Sequence, residues 1–254
     1  MESLHDDWQQ LLRSSVYPRP DGAGTCVDYE YLARDCVRLQ RYLDALGAVS
    51  ATTVAQLGAP ARHAFRINAY NAHVVARVLA ATRRPRSIRH LGLPGIGPWW
   101  ERRLLLEGRR MSLAHLEHRL IRRDEVFDPR IHMALNCASI GCPALRAEAY
   151  DADHLDKQLD QQVQQFLRDR SRNRVDTLQG RIVVSPIFRW FARDFRGSSQ
   201  DVRHWLRRYP EALAPSAEER KVLNDPKARL AYSRYDWGLN ACAPDHLGDN
   251  DRGQ

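Results

Sequence analysis

Lysine is nearly missing from this chain of 254 residues: Lys157, Lys221 and Lys227 are three of its 39 basic residues, so arginine carries the formal charge of +8. The arginines are scattered and mixed with acids, as in Arg168-Asp169-Arg170, and no basic arm interleaved with aromatics stands out. That pattern belongs to solvated helix faces and argues against a dedicated nucleic-acid surface. No apolar run has the length of a membrane span, so no membrane partner is expected. Cysteine is scarce too, with five in all. An odd, low count is not a disulfide framework, and a chain of this length can bury a core without staples. The opening Met1-Glu2-Ser3-Leu4-His5-Asp6-Asp7 shows neither a basic leader nor an apolar stretch. The expectation is a cytoplasmic protein with mostly reduced thiols.

What is present reads as a helix-rich α+β domain with a small antiparallel sheet of hairpins. A leading helix over Trp8–Ser15 runs into a turn at Pro18–Gly24. From Asp28 onward, Tyr31, Leu32, Cys36, Leu39, Tyr42 and Leu43 recur at helical spacing, which makes Cys36 a small buried hydrophobe. A long helix is expected from Pro60 to Thr82. It carries Asn68 and Asn71 on neighbouring parts of one face, as a packing network or as a pocket-lining pair that could touch substrate. Leu91–Trp100 reads as a Gly/Pro-rich loop pinned by its two tryptophans. Hairpins turn at Glu107-Gly108 and Gln179-Gly180. Ser112 caps a helix bearing Glu117 and His118, and Asp128-Pro129 starts another. Further helices are expected over Asp153–Leu167, from Pro186 and over Val202–Tyr209, followed by a terminal strand over Leu230–Leu239. The predicted organisation is an N-terminal extension (1–26), one globular domain (27–244) and a disordered tail (245–254).

Four segments together point to a known family: Ile67-Asn68-Ala69-Tyr70-Asn71, Ser112–His118, Asp128–Pro143 and Tyr235-Asp236-Trp237-Gly238-Leu239-Asn240. They resemble the domain of unknown function family number 547 (DUF 547), and with their spacers they extend roughly from Val27 to Asn240. The resemblance implies kinship and no established activity. Some relatives are fused to glutaredoxin-type modules, which associates the family with thiol chemistry. Gly141 stands where a serine is common in the family.

The residue types in these segments suit a thiol enzyme. Cys137 is the candidate nucleophile, His132 the base or polariser and Glu117 the group that orients the histidine; His118 and Cys142 would line the same pocket. The reaction class natural to them is hydrolysis or transfer at an amide or thioester. Regular structure works against this set: on one helix from Pro129 to Ser139, His132 and Cys137 would be separated by about 140°. The cysteines would then sit near a helix C-terminus, whose dipole disfavours a thiolate. A direct dyad requires the helix to break before Cys137.

Two other chemistries use the same residues. Cys137 and Cys142 could form a reversible disulfide, although on an unbroken helix their Cα atoms would be more than about 8 Å apart. His118, His132, Cys137 and Cys142 could bind zinc, with no other cofactor expected. A non-catalytic interaction domain is the remaining alternative. Asp236, set between aromatics, is expected to anchor a buried network or to orient a histidine. Cys26 and Cys242 have no such neighbours.

Overall fold

The computed structural model describes residues 2–22, 24–91 and 99–243. The predicted tail and most of the Gly/Pro-rich loop lie outside these residues. Helix α1 (Asp6–Ser15) leads into the paired strands β1 (Val16–Pro18) and β2 (Thr25–Val27). The single stripe expected from Asp28 is divided into α2 (Tyr29–Arg34) and α3 (Cys36–Ala48) by a break at Asp35. The break turns Cys36 out to solvent, correcting its expected burial. A short α4 (Ala51–Ala55) precedes the central α5 (Ala59–Leu79), which carries Pro60 in its first turn and is buried along most of its length.

Strands β3 (Leu104–Leu106) and β4 (Arg109–Met111) form the first predicted hairpin, with Glu107 and Gly108 at positive φ in the turn. Ser112 accepts a hydrogen bond from the His115 amide and opens α6 (Leu113–His115). Helix α7 (Leu155–Arg168) precedes the second hairpin, β5 (Arg174–Asp176) and β6 (Arg181–Val184). Then come α8 (Ile187–Trp190), α9 (Ser199–Leu206), α10 (Pro210–Leu213) and α11 (Ala217–Asn224); α9 and α11 start in capping boxes at Ser198 and Ser216. The expected last strand is shorter than the apolar run suggested. Strand β7 (Arg229–Tyr232) pairs parallel to β6, with the four helices as the crossover.

The buried side chains form two cores. The first gathers Trp8, Tyr42, Phe65, Ile67 and Tyr150 around α1, α3 and α5. The second gathers Met133, Phe166, Phe188, Trp205 and Leu206 around β5, β6 and the helices that follow. Helix α7 belongs to both: Leu155 and Leu159 face the first core, and Val163, Phe166 and Leu167 the second. Residues 131–135 are likewise shared, since Ile131, Ala134 and Leu135 pack into one core and Met133 into the other. The segment carrying the candidate cysteine therefore runs along the seam.

Cys26 and Cys242 are joined in a disulfide with Cα atoms 4.8 Å apart. This pair is the exception to the mostly reduced thiols expected, since Cys36, Cys137 and Cys142 are free. The residues are 216 apart in sequence, and β2 with the bridge from Val27 to Ala241 brings them side by side, which no local pattern announces. Among the described residues no helix is long and apolar enough to cross a membrane.

Candidate functional site

The segment before Cys137 is a short 3-10 helix, Pro129–Met133, whose first turn is held by the Asp128 carboxylate accepting from the Arg130 amide. It stops four residues short of Cys137, so the sulfur is not at a helix C-terminus and the expected dipole penalty does not apply. Asn71 holds the chain after the break: its Nδ2 donates to the Ala134 carbonyl at 3.0 Å and its Oδ1 accepts from the Asn136 amide at 2.9 Å. Asn68 brackets Tyr150 in the same way. Both asparagines are buried, have their hydrogen bonds satisfied by backbone and lie off the cavity wall, so neither is placed to contact substrate.

Ala138 has φ +64°, a strained conformation for a residue with a Cβ, and it folds the chain back over the preceding sulfur. The loop is then laid against residues 236–240 by bonds from Ile140 N to Gly238 O, Gly141 N to Asp236 O and Asn240 N to Ala138 O. A Cβ on Gly141 would lie 2.8 Å from the Asp236 carbonyl oxygen, so a serine at this position would force the two segments apart. Asp236 itself is exposed and accepts from the Gly238 amide, which replaces its expected role in a buried network or beside a histidine.

Cys137 is partly buried, and its sulfur lies 3.1 Å from Ser139 Oγ and 3.3 Å from Tyr235 Oη, which are themselves 2.8 Å apart. Burial pushes this thiol up, but hydrogen bonding with Cys142, Ser139 and Tyr235, together with the Ser139 backbone, brings it below the ordinary thiol value. Cys142 is pushed the opposite way by burial and by the neighbouring sulfur. Its Sγ accepts from the Cys137 amide at 2.9 Å and donates to the Leu135 carbonyl at 3.5 Å, so of the two Cys142 holds its proton the more firmly. Burial also raises Tyr235 well above its usual value, which keeps the phenol a donor.

The Glu117–His118 pair sits on a π-helical turn, Leu116–Ile121, closed by the Arg122 amide donating to the Glu117 carbonyl at 2.9 Å. Glu117 does not orient His132, as the sequence suggested; its Oε2 accepts from Tyr70 Oη at 3.0 Å. Burial lifts its carboxyl to about 7, against the opposing pull of the Tyr70 bond and of Arg122. The partner of His132 is Asp194, 2.7 Å from Nε2. Burial lowers the imidazole, outweighing the attraction of Asp194, so the ring is neutral at neutral pH. With Nε2–H donated to Asp194, the free lone pair is on Nδ1. Phe191 stacks on the ring at 4.1 Å. Burial raises Asp194, but bonds from His132 and Arg122 prevail and leave it at about 2. Arg122 Nη1 lies 3.0 Å from His118 Nδ1, so that nitrogen accepts; burial and the guanidinium both lower His118.

These groups meet at a cavity of about 220 Å³ on the seam between the two cores. Glu117, His118, His132, Cys137 and Cys142 all line it, within walls built largely of Trp99, Trp100, Trp190, Phe191, Tyr235 and Trp237. Trp99 packs on the first core, while Trp100 is 63% exposed; residues 92–98 of the loop they were expected to pin lie outside the described residues. Among the described residues no histidine nitrogen is hydrogen-bonded to either cysteine sulfur. Nor do three or more His, Cys, Asp or Glu side chains gather there as a metal site. The expected zinc set His118, His132, Cys137 and Cys142 is not assembled, because Asp194 takes His132 Nε2 and Arg122 occupies His118 Nδ1.

The residues that sequence reasoning missed are Arg122 and Asp194, with Tyr70, Ser139 and Tyr235 noticed only within motifs. Asp194 and Tyr235 come from the C-terminal half of the chain, and Asp194 has no local signature. No curated protein and no solved structure matches the chain. One family model does, described as "Protein of unknown function, DUF547", and it covers Glu117, His118, His132 and both cavity cysteines while ending before Asp194 and Tyr235. Residues 54–167 of this chain are a DUF547 domain.

Proposed function

We propose that the chain is a thiol-dependent enzyme acting at an amide or thioester carbonyl, with Cys137 as nucleophile. The observation that carries this reading is the Cys137 sulfur, surrounded by hydrogen-bonding groups, on the wall of the same cavity as a neutral imidazole held by a carboxylate. Since Ser139, Tyr235 and Cys142 already favour the thiolate, His132 is not needed to deprotonate it, and its Nδ1 is assigned to the attacking water. The orienting role moves from Glu117 to Asp194. Glu117, neutral up to about pH 7, is the acid for the leaving group.

In the first step the Cys137 sulfur bonds to the carbonyl carbon, and the leaving nitrogen or sulfur departs with the Glu117 proton, leaving a thioester. In the second, His132 takes a proton from water as the oxygen attacks, the carbon–sulfur bond breaks and the thiolate returns. That proton is restored to Glu117 through solvent. The net change is hydrolysis, or transfer if another acceptor replaces water.

The test is treatment with 4-nitrophenyl acetate followed by intact-mass analysis. The wild type is expected to carry an acetyl group on Cys137, Cys137→Ala none, and His132→Ala a group that persists because deacylation is slow. An acetyl group found equally on Cys137→Ala would overturn the proposal.

A second reading is favoured by the contact between Cys142 Sγ and the Cys137 amide. That contact brings the Cys142 sulfur to the Cys137 backbone, and the irregular loop removes the helical separation that opposed a bond between the two residues. A hydroperoxide would convert the Cys137 thiolate to a sulfenic acid, releasing water or an alcohol, and the Cys142 thiol would displace hydroxide to form the disulfide. Retention of both free thiols after peroxide treatment would exclude it.

A further inference from the structure

We infer that the acyl group accepted by this cavity is uncharged and about the bulk of one hydrocarbon ring with its carbonyl stem. The inference rests on the thiol reading above and adds the substrate class.

Charge comes first. Among the described residues, no arginine, lysine or aspartate lines the cavity. Its two histidines are both held toward the neutral form by burial, and its tyrosines Tyr70 and Tyr235 are held as phenols. Of the guanidiniums that touch wall residues, Arg122 is committed to Asp194 at 2.6 Å and to His118 at 3.0 Å, and Arg89 lies on the face of Trp237, 4.5 Å from the ring centroid. A carboxylate on the acyl group would therefore meet no counter-charge and would be repelled by the Cys137 sulfur. An ammonium group would find aromatic faces, yet Glu117, the one carboxyl among the described wall residues, becomes an anion only at a desolvation cost.

Shape comes second. Trp190, Tyr235 and Trp237 form one contiguous cluster, with ring centroids 4.4 to 5.7 Å apart, and Tyr235 reaches from it to the Cys137 sulfur. His132 and Phe191 stack on the other side. Flat apolar surfaces near the nucleophile suit a flat or ring-shaped apolar group. An apolar protein cavity of about 150 Å³ holds one benzene. The 220 Å³ here leaves room for a ring, its methylene and the reacting carbonyl, and little for a second ring.

The experiment uses Cys137→Ala protein, which retains the cavity walls and cannot react, and follows tryptophan fluorescence on titration with four amides. Phenylacetamide is expected to bind at least about tenfold more tightly than succinamate (anionic), betaine amide (cationic) or 4-biphenylacetamide (two rings), a difference of about 1.4 kcal/mol. Equal or tighter binding of any of the three, or no binding of phenylacetamide, overturns the assignment. Failure of the nucleophile is read separately on wild-type protein with the acetyl ester, whose small acyl group fits whatever the cavity prefers. Acetylation of Cys137 without the ring preference defeats the substrate class alone; no acetylation defeats the thiol reading itself.

Discussion

Tyr235→Phe removes one hydroxyl from the Cys137 sulfur and leaves the ring against Trp190 and Trp237 at 4.8 and 4.4 Å. A hydrogen bond to a charged group contributes about 1.5–3 kcal/mol. At 3.3 Å, and shared with Ser139 Oγ, this one belongs at the lower end. One pKa unit corresponds to about 1.4 kcal/mol, so losing about 1.5 kcal/mol of thiolate stabilisation raises the thiol by about one unit. The direction follows because the donor stabilises the charged form. The assay is the pH dependence of iodoacetamide alkylation at Cys137, read by mass spectrometry. On the acidic limb, where the rate follows the thiolate fraction, the variant is expected to react about tenfold more slowly than wild type. On the alkaline plateau it should match or slightly exceed it, since a more basic thiolate is the better nucleophile. Ser139→Ala combined with Tyr235→Phe should move the inflection further. An inflection that stays put in both variants, or falls, would refute the claim that these hydroxyls set the sulfur's acidity.

Three other outcomes follow from the same geometry. Glu117 has its carboxyl raised from 4.5 to about 7, so the native state binds the extra proton and stability declines as pH rises through that window. Glu117→Gln should unfold in urea like wild type near pH 4 and be more stable above pH 7, by up to about 3 kcal/mol; equal stability at both ends would contradict the raised value. Asp194→Asn lets the amide donate to His132 Nε2 and move the ring proton to Nδ1, so thioester hydrolysis should slow by about a hundredfold or more while Cys137 acylation changes little. Unchanged turnover would remove His132 from the water-activating step. Cys26→Ser should lower the thermal midpoint markedly, because in the chain-entropy account a cross-link over 216 residues contributes at most about 5 kcal/mol; coincident melts would show that β2 already holds the chain ends together.

Local signals read well from the sequence, and long-range placements did not. The hairpin turns at Glu107-Gly108 and Gln179-Gly180, the Ser112 cap and the α5 and α7 stripes follow from a few neighbouring residues, and all are present. Cys36 misled because its stripe spacing presumes one continuous helix, and the break at Asp35 changes the phase. The cysteine segment was legible as a set of residue types, but its conformation was not. Ala138 adopts a left-handed φ that glycine or asparagine would have signalled, and a long-range frame of Asn71, Asn136 and Asn240 holds it there. Asp194 lies 62 residues from His132, and Tyr235 lies 98 from Cys137. Such partners leave no periodic trace, and both come from the second core, which closes the cavity from the far side.

Competitive alkylation in mildly acidic buffer, with limiting iodoacetamide and peptide mapping, tests the central claim most directly because the chain carries its own reference thiol in the exposed Cys36. Cys137 is predicted to take the label ahead of Cys36 despite being less accessible, with Cys142 unlabelled until the protein is denatured. Label on Cys36 first, and on Cys137 only in denaturant, would mean that the sulfur is a packed thiol and that the cavity has no nucleophile.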